Sequence, residues 1–421
     1  MKIIKLLFIS ILFISCSRKI TTEISNKMIK LKSENGIPND FSKLDKYINN
    51  KEIILLGEAA HGEGKTFEVK TQLVKYLIEE KGFNTIALEG MDFLEMEYIN
   101  GRSVLKNNFI ENYENEWYSN WNPWNKAKQM IPFEQFIKSK QISLVGIESY
   151  KYFSTLINIG FIKNELEKSN WTNSNKNEWD KMAIIFDKII NNEKTITIEE
   201  YEYFTINLNK IIESNEIICF EDNLFTQMLE NLITYVNKNF NPNIFDNEDE
   251  KLVYEINSRD NQMARNLIYF KERNPNAKII VWLANFHGAT NLGKVTYAND
   301  DSNIYSKFIV FGDHIKNKYG DKVYSIAITS SFGYSKMPFN LESIKETKII
   351  SPKESLEFEL NKQKCNFGFI DFNEILKNNP KKVDEKFNSI MLGHVSQKGK
   401  WLKVFDGLLY IKESEIALPK D

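Results

Sequence analysis

The chain has 421 residues, 42% of them hydrophobic and 27% charged, with Lys+Arg 55 against Asp+Glu 57 and a net charge of −2. That balance, with no basic block, argues against nucleic acid as a partner. The three cysteines show no metal-type spacing and leave room for one disulfide at most, between Cys219 and Cys365.

The first segment, MKIIKLLFISILFISC, has a positive start at Lys2 and Lys5. An apolar run from Leu6 to Ile14 follows, too short to span a bilayer comfortably. Ser15 and Cys16 close that run as the lipobox of bacterial lipoproteins does. The expectation is a signal peptide over 1–15, a lipidated Cys16, a polar tether over 16–40 and a folded body over 41–421. No later apolar run has membrane-spanning length. The chain is therefore expected to be an exported lipoprotein, anchored by lipid in the periplasm or at the cell surface. About 400 residues then remain, enough for one elaborated domain or two.

Short β-branched runs alternate with longer helical patterns, the signature of βαβ units. Glu52–Leu56 reads as the first strand. A helix follows His61, with Phe67, Leu73, Val74, Leu77 and Ile78 at helical spacing and Gly82 as its stop. Thr85–Leu88, Ile142–Ile147, Lys278–Leu283 and Lys322–Thr329 read as further strands, with Phe367–Phe372 and Leu408–Lys412 as later ones. Between the third and fourth strands, 178–191, 198–212, 222–237 and 250–271 read as helices. This block, about 150–250, is expected to cover one end of the sheet. The fold class is α/β, three α/β/α layers around a mostly parallel sheet with a helical insertion.

Glu58, Glu89, Glu148 and His287 each follow a strand, and His61 lies three residues beyond Glu58. In open parallel sheets such strand ends gather ligands and catalytic groups on one rim. Each feature alone reads equally as a helix cap or a structural histidine; it is the convergence that points to a site. Trp117, Trp121 and Trp124 lie between two of these strands, where aromatics either line a pocket or fill a core. Core is the reading for at least two of them, and Trp121 is taken as the substrate contact. Lys70 reads as a solvated helix residue.

The opening GEAAHG, followed by a helix and a strand ending in Glu89, resembles the erythromycin esterase family. SRDNQMARN at 258–266, VWLANFH at 281–287, GDKVYSIAITSSFG at 320–333 and FDGLLYI at 405–411 are similar to later blocks of that family, in the same order. The resemblance implies a hydrolase of carboxylic esters with no required cofactor or metal, whose partner is a small-molecule ester. It places His61 as the base that activates water, with Glu58 orienting it. Glu89 then positions water or substrate, and His287 donates to the oxyanion. Arg259 and Glu148 are implied as substrate contacts, with a structural ion pair an equal reading for Arg259. Ala284 stands where the family carries a histidine, which bears on substrate choice, macrolactones included. Two alternatives stay open. One is a haem- or ligand-binding lipoprotein of related fold. The other is a metal-dependent hydrolase or peptidase using Glu58, His61, Glu89 and His287 as ligands.

Overall fold

The computed structural model describes residues 20–99, 121, 123–140, 142–149, 154–191, 196–214, 224–240, 245, 247–296, 303–339 and 343–420. Nine strands form its main sheet: β1 (Ile29–Lys30), β2 (Ile53–Leu56), β3 (Thr85–Asp92), β4 (Ser143–Glu148), β5 (Ile279–Trp282), β6 (Val323–Ser335), β7 (Thr347–Ile350), β8 (Phe367–Asp371) and β9 (Gly407–Ser414). Their order is β1-β8-β9-β6-β2-β5-β3-β4, with β7 also paired to β6. From β9 to β4 every neighbouring pair is parallel, while β1, β7 and β8 join antiparallel.

Strands β2 and β5, IILL and IIVW, are buried at every position, the mark of a parallel strand covered on both faces. Because side chains alternate along a strand, the two faces feed separate cores. Ile53, Leu55, Ala87, Val145, Ile279 and Val281 point to one. Ile54, Leu56, Ile86, Leu88, Ile280 and Trp282 point to the other, where they meet Phe67, Leu73, Val74 and Leu77 of helix α1 (Gly64–Lys81). Gly82 ends α1 at φ 70, the left-handed stop expected of it.

The helical block comprises α2 (Ser154–Glu167), α3 (Lys176–Ile190), α4 (Ile198–Glu213), α5 (Leu224–Asn239) and α6 (Glu248–Arg273). Thr197 and Glu200 close a capping box on α4, and Asn247 caps α6. This block lies against a face of the sheet, not over one end as the sequence reading had it. Its apolar stripe, including Phe186, Leu208, Leu232 and Leu267, joins the same core as Leu55, Val145 and Val281. Two shorter helices, α7 (Asn285–Gly288) and α8 (Phe311–Tyr319), complete the surroundings of β5.

Two further expectations are corrected. From residue 20 the polar tether is folded: Ile20–Ser25 is helical with Ile24 buried, and β1 pairs with β8. A few apolar residues (Ile24, Ile29 and Leu31) do this within a polar composition. Strand β3 runs past Leu88 to Asp92, so Glu89 lies inside it. Its register against β4 shifts between Leu88 and Asp92, with Gly90 at φ 80, and this irregularity turns the strand where Glu89 sits. Cys16, Trp117 and Cys219 lie outside the described residues. Among the described residues, no helix is long and apolar enough to cross a membrane.

Candidate active site

The chain leaves β2 for β3 but leaves a gap between them that β5 later fills, while β6 adds on the opposite side of β2. The carboxyl ends of β2, β5, β3 and β4 therefore meet where the strand order reverses, the usual place for a site in such sheets. Glu58 follows β2, Glu89 lies in β3, Glu148 ends β4 and His287 follows β5 in α7. All four were expected here, and Arg259 of α6 reaches the same rim.

The loop after β2 is held by close backbone packing. A Cβ on Gly57 would sit 2.1 Å from Asn285 Oδ1, so only glycine lets α7 approach. Asn285 is itself a tie: its amide donates to Ile328 O and Met391 O at 2.8 and 2.7 Å and accepts from Ile328 N at 3.0 Å.

Glu58 is fully buried and fully engaged. Its Oε1 accepts from Trp124 Nε1 at 2.8 Å and lies 2.7 Å from His61 Nδ1, while Oε2 accepts from Lys70 Nζ at 2.7 Å. Lys70 is not the solvated residue of the sequence reading. It is completely buried and packs 4.1 Å over the Trp282 ring. Burial pushes its ammonium below the usual lysine range, against the pull of Glu58. Lys70 sits nearly two turns into α1, on its buried side, a placement that helical period alone did not separate from the solvent side.

His61 is the accessible member. Its side chain is 32% exposed, its ring meets Trp124 edge-on at 4.9 Å, and Nε2 has no partner among the described residues. With Nδ1–H given to Glu58, the lone pair falls on Nε2. Burial would lower the imidazole pKa, but the Glu58 hydrogen bond and the nearby Glu89 charge raise it above the ordinary value.

Glu89 and Arg259 form the other half of the rim. Glu89 Oε2 accepts from Ala284 N at 2.6 Å, and Oε1 from Arg259 Nη2 at 3.2 Å. Burial opposes its ionisation, yet His287, His61, Arg259 and the Ala284 N–H outweigh it and hold the carboxyl at about 2. Arg259 grips Glu148 with two nitrogens, Nε at 3.1 Å and Nη2 in a shorter contact, the fork geometry that favours arginine. The ion-pair reading of Arg259 is thus realised with Glu148 and Glu89. One Nη1–H remains without a partner among the described residues.

His287 departs from its expected part. Nδ1 lies 2.8 Å from Asp260 Oδ2, which also accepts from Phe311 N at 2.8 Å, and Nε2 lies 2.8 Å from Arg259 Nη1. Because guanidinium only donates, Nε2 of the neutral ring accepts there and offers no N–H to an oxyanion, and its other neighbour is Glu89 Oε1 at 3.4 Å. Trp121 is also corrected: it is fully buried, donates from Nε1 to Glu89 O at 2.8 Å and stacks on Trp124 at 5.2 Å. It is core, because its ring is sandwiched among Trp124, Phe133 and Trp282. Sequence reasoning missed Asp260 as a site residue, although it stood in the SRDNQMARN block, and left Trp124 among aromatics that line a pocket or fill a core. Ala284 gives the site only its backbone. Among the described residues, no three His, Cys, Asp or Glu side chains are grouped to hold a metal ion.

Comparison with known proteins gives this site a context. Residues 215–414 match the family model described as Erythromycin esterase. The Bacillus subtilis (strain 168) protein named "Putative hydrolase YbfO" is 23% identical over 374 residues, covering 81% of this chain and 79% of that protein. A Bacillus cereus protein of solved structure superposes with a TM-score of 0.69 at 19% identity, over 95% of this chain and 98% of that one. An erythromycin esterase, EreC, solved as a point mutant in its open conformation, gives 0.61 at 14% identity, over 89% and 93%. These likenesses show a shared α/β fold.

Proposed function

We propose that this chain, whose residues 215–414 match the erythromycin esterase family model, is a hydrolase of carboxylic esters in which His61 activates water. One observation carries this reading: a buried carboxylate fixes His61 Nδ1 at 2.7 Å while Nε2 stays open at the switch point of the sheet. Nε2 takes a proton from water, and the water oxygen bonds to the ester carbonyl carbon. Glu58 stabilises the imidazolium that forms. The carbonyl oxygen, now negative, meets the one unassigned Nη1–H of Arg259. Collapse expels the alkoxide, which recovers the proton from His61. Glu89 and Glu148 hold the guanidinium in place through this cycle.

The test is turnover of a panel of simple esters and macrolides by the wild-type protein and His61→Ala, each with and without chelator. Turnover that survives chelation and disappears in the variant supports the reading; turnover unchanged in His61→Ala overturns it. Macrolide turnover is a separate outcome, reporting that Ala284 suffices where the family has histidine. The run ending at Cys16 supports an anchored, exported protein, for which labelled-palmitate incorporation lost in Cys16→Ala is the check.

A further inference from the structure

Directly behind His61 lies a third carboxylate–histidine pair, Glu63 with His394, which takes no part in the chemistry above. Glu63 is buried, and its Oε2 accepts from Ala60 N at 3.0 Å, bridging the loop across His61. Its Oε1 accepts from Ser414 Oγ at 3.2 Å, at the end of β9. His394 Nε2 stands 3.3 Å from Glu63 Oε2, with that side chain 4% exposed. Neither ring nitrogen of His394 has a hydrogen-bond partner among the described residues. What joins it to Glu63 is therefore charge at short range.

The backbone under His394 sharpens the point. Gly393 (φ 65) and His394 (φ 60) form the centre of a tight turn closed by Val395 N to Leu392 O at 3.4 Å. Two successive positive φ values favour Gly and Asn, and a histidine there works against its own backbone. A side chain kept at such a position marks a place to look for function. The turn also touches the catalytic loop directly, since Gly393 N donates to Ala59 O at 3.1 Å. Two more strands of chain grip the same loop: Lys336 N and Ala417 N both donate to Gly62 O at 2.9 Å.

We propose that Glu63 and His394 are positioning residues that lock the Gly57–Glu63 loop onto the 392–395 turn and so hold His61 against Glu58. This rests on His61 being the base, as proposed above. Glu63 fixes the loop from within, and His394 supplies the opposite charge that keeps the Glu63 carboxylate in its buried place. Among the described residues a second carboxylate, Glu357, also acts on His394; it is buried and bonded by Ser389 Oγ and Ile390 N just ahead of the turn.

The experiment compares the full chain with Glu63→Gln, His394→Asn and the double variant. Asparagine suits the turn, and the double variant strands no buried charge, so both are built to fold. Two readouts are taken: ester kinetics, and the NMR titration of the His61 ring, one of four in the chain and assignable by its loss in His61→Ala. The proposal expects kcat to fall about tenfold with KM within about twofold, and the double variant to be no worse than either single. It also expects the His61 midpoint to drop toward the ordinary value of about 6.5 as its bond to Glu58 loosens. An unmoved His61 titration in the folded double variant overturns it, as does additive loss of kcat in the two singles. If the wild-type protein turns over no ester, the hydrolase reading fails alone, because the titration still decides whether the pair positions His61.

Discussion

Two histidines stand on neighbouring strand ends of this sheet, each with a carboxylate on Nδ1, and they are in opposite states. His61 rests on Glu58 at 2.7 Å with Nε2 open and a third of its side chain exposed. His287 rests on Asp260 at 2.8 Å with Nε2 taken by Arg259 and a side chain only 10% exposed. On the proposed reading the same residue pair serves as a base in one place and as scaffold in the other. What separates them is the second nitrogen: a guanidinium beside it uses the lone pair that catalysis would need. A histidine next to a carboxylate is therefore no sufficient sign of a base.

The largest expected effect tests that contrast directly. His61→Ala is expected to lower kcat by about a thousandfold, or ~4 kcal/mol of transition-state stabilisation, with the fold intact by circular dichroism. Glu58 keeps Lys70 and Trp124 in that variant, so stability should change by less than about 1 kcal/mol. Lys70→Met comes next. It leaves Glu58 buried without its cation, and urea unfolding is expected to show a loss of about 3 kcal/mol. A solvated lysine would have cost under about 0.5 kcal/mol, so the measurement separates the two readings cleanly. His287→Ala strands Asp260 and frees Arg259, and should cost about 2 kcal/mol of stability. Its catalytic loss should stay well below that of His61→Ala. Equal kinetic losses in the two histidine variants would erase the distinction between base and scaffold.

The sequence made the frame of this site readable because strand ends announce themselves. IILLGE and KIIVWLANFH end in abrupt polarity after apolar runs, which placed Glu58 and His287 on the rim. Glu148 followed in the same way, and Gly82 marked the end of α1 through its backbone freedom. The interior of the site was not readable in this way. Lys70 looks like any lysine on an amphipathic helix until the helix is docked and its inward face meets Glu58. Trp121 and Trp124 sit three residues apart in one aromatic run. Only packing decides that both are buried and that Trp124 gives its N–H to Glu58. The role of His287 depended on Arg259, a residue on another element whose reach no spacing reports. The covering of a sheet face by α2–α6 was missed for a related reason. Helical period shows that a stripe exists, not which surface receives it.

The smallest expected effect is a displacement along the pH axis, and it sets the two halves of the site against each other. As a base His61 must be neutral, so kcat/KM falls as pH drops through its folded pKa. The Glu58 hydrogen bond and the Glu89 charge, outweighing burial, place that acidic limb above 6.5. Folding stability runs the other way across the same interval. A histidine whose pKa is raised on folding stabilises fully below its unfolded value, and that contribution is lost as pH rises through the folded one. His287, raised by Asp260 and Glu89 against burial and Arg259, adds to this slope with the same sign. Glu89, held at about 2 against 4.5, contributes stability present above 4.5 and lost only as pH falls toward 2. Stability should therefore peak on the acidic side of neutrality, at a pH where His61 is still protonated and turnover is low. Urea midpoints and kcat/KM measured on one pH series will show the two curves crossing above 6.5 if this is right. An acidic limb below 6.5 would mean that Glu58 does not hold His61 in solution as it does here.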